Sequence, residues 1–282
     1  MSISTQIEIA PPRSSASRSS ASRGRASRGR AFARVLNSEF VKLRTLRSTA
    51  WSFAILALLN LAFGLTVAIF SSSPGEKFTR VQANDLVIGS LTNGVLVSQL
   101  IVAVIGVLAI GGEYSTGQIR SSFAAVPQRV TVLWAKAVAN ALTTFAISLV
   151  SLVTTYFATA PIFAHGGIQT SLFDPAIALP ILGASTFLAL LGLICMGLGA
   201  IIRSIASGIA ASIGLILVVP GLLLLIQTEW MTSVVNLLPS IAGTQLFGHG
   251  GAFEPWQALL VLLVWIGALF GAASLLVTRR DA

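Results

Sequence analysis

Two groups of polar residues in this chain have the types and spacing to do chemistry. The first is "GGEYSTGQIRSSFAAVPQR" (111–129), which carries Glu113, Tyr114, Gln118 and Arg120 between two long apolar runs. The second is Asn140, Thr144, Ser148, Ser151 and Thr155, which recur at spacings of four and three inside an apolar run. Such spacing puts all five on one face of a helix. A stripe of amides and hydroxyls can line a translocation path, or it can bond one membrane helix to the next; both readings stand. Covalent catalysis has no support here, because no nucleophile–base pair or metal cluster falls within the apolar runs. One Cys (Cys195) and two His (His165 and His249) are too few for a zinc set. Each His sits in a Phe-x-His-Gly-Gly turn, and the glycines account for the turn without a metal.

The elements that position these groups follow from composition. The chain has 282 residues, 55% hydrophobic and 10% charged, with a mean hydropathy of +0.87. A soluble domain carries about 25% charged residues, so this chain cannot cover itself with a polar surface in water. At 1.5 Å per residue, roughly 20 apolar residues cross the hydrocarbon core. Six stretches qualify: 49–70, 86–111, 131–160, 175–202, 208–226 and 256–277. The expected fold is all-α, a polytopic membrane protein with six transmembrane helices. Asp174-Pro175 and Glu254-Pro255 each place an acid before a Pro, which marks a helix start.

The net charge of +9 is unevenly placed. Ten Lys and Arg precede the first span, three lie in 112–136, one is Arg203 and two are Arg279 and Arg280. The alternate loops hold only Lys77 and Arg80. The positive-inside rule therefore puts both termini and residues 112–129 in the cytoplasm of a cell-membrane protein. Apart from Lys136 near a span start, no ionisable residue sits within a span, which counts against an ion-coupled secondary carrier.

Residues 1–30 are read as a disordered Ser/Arg-rich cytoplasmic tail and 31–282 as the six-span transmembrane domain. Residues 13–30 contain no acid, which suits contact with anionic membrane lipids and also describes an organelle transit peptide. No nucleic-acid partner is expected, since no fold or aromatic platform accompanies the charge. Residues 31–48 have the pattern of an amphipathic interfacial helix, with Phe32, Val35, Leu36, Phe40, Leu43 and Leu46 on one face. Glu39 interrupts that face, and its partner is either Lys42 or a basic group elsewhere. In the insert, Ser115 and Gln118 have capping-box spacing. A short cytoplasmic helix is expected over 116–126, joined to the second span by Gly111-Gly112. In 227–254, Trp230, Val234 and Leu238 have helical spacing and Pro239 follows, so this loop is expected to dip back into the outer leaflet. Gly267 and Gly271 have the small-xxx-small spacing of a packing face, within or between chains.

These residues carry a family resemblance. "SEFVKLRTLRSTAW" (38–51), "GEYSTGQIRSSFAAVPQRVTVLWAKA" (112–137) and "NLLPSIAGTQL" (236–246) are similar to segments of the ABC-type-2 exporter permeases of actinobacterial type. The likeness extends over residues 31–280 and leaves out the Arg/Ser tail. It implies a permease subunit that moves a lipophilic or amphipathic substrate. It implies that the 31–48 and 112–129 helices form the platform for a separate ABC ATPase subunit, which holds ATP and Mg. It also implies two permeases, identical or different, and two ATPases per complex. On this basis Glu39, Lys42, Arg44, Glu113, Tyr114, Gln118 and Arg120 are the coupling residues. The chain has no Gly-Lys dipeptide and hence no P-loop of its own. No cofactor is expected in this chain, and ATP hydrolysis is expected elsewhere. The alternative is a non-transporting membrane scaffold that recruits a cytoplasmic partner.

Overall fold

The computed structural model describes residues 47–71, 78–116, 129–226, 228–248 and 251–280. Nine α-helices and no strand occur among them. They are α1 (Arg47–Ser71), α2 (Arg80–Thr116), α3 (Arg129–His165), α4 (Pro175–Ile202), α5 (Ile205–Ile213), α6 (Val219–Leu223), α7 (Glu229–Asn236), α8 (Pro239–Thr244) and α9 (Pro255–Arg280). Helices α1, α2, α3, α4 and α9 are each long and apolar enough to cross a membrane, and so is the stretch Ile205–Leu223. The expected all-helical, six-span architecture is therefore present. The interfacial helix over 31–48 lies outside the described residues, apart from Arg47 and Ser48, which open α1.

Helices α2 and α4 form the centre, with the other spans around them. Small residues allow their close approach. A Cβ on Gly106 would run into the carbonyl oxygen of Gly192, and one on Gly199 would lie 3.3 Å from Val107 Cα. In lipid, where helices gain nothing by leaving water, such backbone contact supplies the packing energy. Exposed Leu58, Phe70, Val150, Phe157, Val264 and Leu275 cover the outside, the reverse of a soluble bundle and right for a lipid solvent.

The ends of the helices have local causes. Asp174 caps α4 as expected: its side chain accepts from the Ala176 amide at 3.0 Å, and Pro175 takes the first helical position. At the start of α9 the Glu254 carbonyl accepts from the Gln257 and Ala258 amides, while Gln257 Oε1 accepts from the Glu254 amide. Helix α2 starts earlier than residue 86, because Thr79 and Gln82 form a reciprocal capping box. Between α5 and α6 the helix widens into a π-turn over Gly214–Val218, just before Pro220. Proline has no amide to donate back to Ile216, and a wider turn absorbs the missing bond.

One expectation needs correction. Gly111-Gly112 does not break the second span: α2 continues through both glycines to Thr116, so Ser115 is inside a helix and not its cap. Gly111 instead permits approach to Ile205, whose Cγ1 would lie 3.2 Å from a Cβ there. The remainder of the expected 116–126 helix lies outside the described residues. The 227–254 region contains α7 and α8, in keeping with the helical spacing of Trp230, Val234 and Leu238; Trp230 and Val234 are exposed, while Met231, Val235 and Leu238 are buried. This region does turn inward. A Cβ on Gly243 would overlap the ring of Phe187, which lies twelve residues after Pro175, about 18 Å along the helix.

Candidate functional site

The polar face of α3 points into the protein. Lys136, Asn140, Thr144, Ser148, Ser151, Thr155 and Thr159 follow one another at spacings of three and four, and all are buried. Trp134, Leu142, Val150 and Phe157 on other faces are exposed. The expected stripe thus exists and is longer than expected at both ends. Lys136 belongs to it: it lies within the Val132–His165 span and is only 4% exposed. It is not simply a surface charge next to a loop.

The two halves of the stripe differ. Toward the His165 end every member is satisfied within the chain. Ser151 Oγ accepts from Asn60 Nδ2 at 3.1 Å. Thr155 donates to the Ser151 carbonyl, and Thr159 to the Thr155 carbonyl, both at 3.0 Å. Toward the Arg129 end, Asn140 Nδ2 and Oδ1, Thr144 Oγ1 and Ser148 Oγ are buried without a hydrogen-bond partner among the described residues. Leaving such a group unsatisfied costs about 1–3 kcal/mol, so three in sequence on one face are not explained by packing.

Helices α2 and α4 complete the surroundings of this half. Gly192 of α4 lies against it: a Cβ there would be 3.4 Å from Asn140 Nδ2 and 4.0 Å from Thr144 Oγ1. That same Cβ would be 3.2 Å from Val102 Cγ1 of α2. Gln99, one turn before Val102 on that face of α2, is also buried, with Oε1 unpartnered. The site therefore offers two carboxamides and two hydroxyls, all uncharged and able between them both to donate and to accept.

Asn60 and Ser98 have no counterpart in the sequence reading. Asn60 is fully buried near the middle of the Ser48–Ser71 span, and its Oδ1 accepts from Ser98 Oγ at 3.0 Å. It thereby links α1, α2 and α3. The signal was available: Asn60 is the one amide side chain in the apolar run 49–70. Beside this link, a groove of about 490 Å³ opens between α1 and α3, lined by Ala57, Leu58, Leu61, Ala146, Ile147 and Ser151 among others.

The Arg203 end gathers three helices at one side chain. Arg203 ends α4 in the left-handed region, at φ 60°, with its amide bonded to the Gly199 carbonyl at 2.9 Å. This strained residue makes the tight turn into α5, which begins at Ile205 after only Arg203 and Ser204. Its guanidinium lies 5.1 Å from the ring centre of Tyr114 at the end of α2. It also donates to the Leu276 carbonyl of α9 at 3.5 Å. Of the expected coupling residues, Tyr114 is thus placed against Arg203 at the end of α4. Glu113 is in α2, and its side chain lies outside the description. Glu39, Lys42, Arg44, Gln118 and Arg120 lie outside the described residues.

At the opposite end, Arg80 of α2 donates to Asp174 at 3.0 Å. The Ala176 amide, and then Arg80, hold the Asp174 carboxyl below its usual range. A Cβ on Gly267 or Gly271 would meet nothing within 4 Å, because α9 packs through Ala258, Leu262, Ile266, Phe270 and Ala273 instead. The expected small-residue face is thus not used within the chain.

No family model matches the chain, and no curated protein matches it.

Proposed function

We propose that the chain is the permease subunit of an ATP-driven exporter of the ABC-type-2 class. It moves a lipophilic or amphipathic substrate and uses a separate ATPase subunit that holds ATP and Mg. Two permeases pair in the complex, and both termini lie in the cytoplasm of the cell membrane, in keeping with the Lys/Arg distribution.

The observation that carries this reading is the buried polar face of α3, on which Asn140, Thr144 and Ser148 are unpartnered. A structural membrane anchor has no reason to bury unsatisfied amides and hydroxyls between its central helices. A transport subunit has one, since its substrate must exchange lipid or water for protein contacts along a path. The sequence likeness at 38–51, 112–137 and 236–246 supports the ATP-driven class. Arg203 then has a place in the scheme: it connects the end of α2, where the insert begins, to α4 and α9. A motion imposed on the insert reaches the central helices through that contact.

The test is co-purification. The full chain, expressed with any ABC ATPase encoded beside its gene, is expected to hold that ATPase through size-exclusion chromatography. Deleting residues 112–128 would be uninformative about the spans, so Tyr114→Asp serves as the variant, with retained membrane insertion as its control. Recovery of the permease without any ATPase would argue for the scaffold alternative.

A further inference from the structure

We infer that Asn140, Thr144 and Ser148 of α3, with Gln99 of α2, form a binding site for an uncharged hydroxyl- or carboxamide-bearing group carried on an apolar molecule. The site gives the proposed permease a substrate class, and to that extent it rests on that reading. The α3 stripe contains its own control. The same residue types one to two turns further along are all satisfied by Asn60 or by backbone carbonyls. Elsewhere buried hydroxyls go unpartnered singly, as at Ser212 and Ser240, whereas here three polar side chains follow one another on one face. Asn140, Thr144 and Ser148 are 0–1% exposed and keep their polar atoms unpartnered, as does Gln99 Oε1 at 7%.

The chemistry of the four groups selects the ligand. Asn140 supplies a donor and an acceptor, Thr144 and Ser148 can each do either, and Gln99 Oε1 accepts. A sugar or other polyol, or an amide, matches such a mixture. A quaternary ammonium does not, because a desolvated cation needs an opposite charge and these four side chains are neutral. A phosphate does not either, because the nearest cation on this face, Lys136 one turn before Asn140, already has an interaction within the chain. The apolar remainder of the ligand is matched by Val102 and by the Gly192 backbone, which lies beside Asn140 without a side chain. A larger residue at 192 would occupy the space next to the amide.

The experiment uses the full chain in phospholipid nanodiscs and three diazirine-bearing probes of equal alkyl length: a dodecyl glucoside, a dodecyl phosphate and a dodecyltrimethylammonium. Labelled residues are mapped by mass spectrometry. The glucoside is expected to label α3 and α4 near Asn140 and Gly192, and unlabelled glucoside to compete. Asn140→Leu with Thr144→Val should weaken that labelling about tenfold. Thr159→Val, in the satisfied half, should leave it within about twofold. Gly192→Ala is the second variant: its methyl fills the space beside Asn140, and it should also weaken labelling even if the double variant fails to insert. Equal labelling by all three probes, or labelling insensitive to these changes, would overturn the proposal and leave water as the occupant. The outcome is independent of the exporter reading. A chain that binds glucoside but no ATPase sinks that reading alone, and ATPase stimulation without glucoside binding sinks the site alone.

Discussion

Asn60 and Ser151 join the middle of α1 to the middle of α3 through a 3.1 Å hydrogen bond, and the same Asn60 accepts from Ser98 of α2. The approach is close because Gly94 of α2 faces Asn60; a Cβ there would lie 2.7 Å from Asn60 Cα. Interhelical bonds of this kind average about 0.6 kcal/mol in a bilayer and reach about 1.7. Asn60→Leu removes two of them and should destabilise the protein more than Ser151→Ala. A double-mutant cycle by reversible unfolding in bicelles should give a coupling of about 0.5–1.7 kcal/mol between the two positions. A coupling of zero would mean that the bond contributes nothing.

The contact between Arg203 and Tyr114 depends on the face of the ring. A cation over an aromatic face is worth about 0.5–2 kcal/mol. Tyr114→Phe should therefore keep most of the stability, and Tyr114→Leu should lose that amount in thermal unfolding. Arg203→Gly suits the left-handed backbone at this turn but removes the guanidinium from both Tyr114 and Leu276. Its expected phenotype is an intact α4–α5 turn with freer ends of α2 and α9, read as faster amide exchange there. Equal stability of the Phe and Leu variants would contradict the ring contact.

Asp174 gives a pH dependence whose sign is fixed. Its folded pKa is lowered, first by the Ala176 amide and then by Arg80. The stabilisation is therefore complete above the unfolded carboxylate pKa and is lost as pH falls through the folded one. Asp174→Asn retains a capping side chain but no charge toward Arg80. Its melting temperature should lie below the wild type at neutral pH, and the two curves should converge in acid. A gap that persists or widens in acid would contradict this assignment.

Gly267 and Gly271 offer a test of self-association. Since a side chain at either position would point into open space, Gly267→Ile with Gly271→Ile should leave unfolding of the protomer unchanged. If these residues meet a second permease, the dimer fraction measured by single-molecule photobleaching in vesicles should fall. An unchanged dimer fraction would assign the two glycines to lipid.

Much of the frame was legible because its signals are local. Hydropathy located six spans, and Asp174-Pro175 marked the start of α4 to the residue. The period of α3 exposed its polar face. What failed was whatever depends on a neighbour. The division of the stripe into satisfied and unsatisfied halves requires Asn60, which is far off in sequence and sits in an otherwise apolar span. Gly111 and Gly112 resembled a hinge, yet a glycine in a membrane helix serves equally well to admit a neighbouring helix, here at Ile205. The helical spacing of Trp230, Val234 and Leu238 was legible, but which face of α7 packs on the protein was not, because both are apolar; Met231 and Val235 are the buried ones. The Thr79–Gln82 box was readable, and Arg80 obscured it by ending the apolar run early.

The central claim, that this chain is driven by an ATPase bound at its insert, is tested most directly at Glu113. Glu113 lies in the last turn of α2, next to Tyr114. The account gives it the task of making the insert move with the span, so its charge should matter for turnover and not for folding. The measurement is ATP hydrolysis by the purified permease–ATPase complex, with and without dodecyl glucoside, for the wild type and Glu113→Gln. The account predicts equal expression and ATPase association, with ligand-stimulated turnover lowered about tenfold in the variant, the scale of losing one charge-assisted contact in the coupled state. Wild-type stimulation in Glu113→Gln, or a chain that never associates with an ATPase, would contradict it.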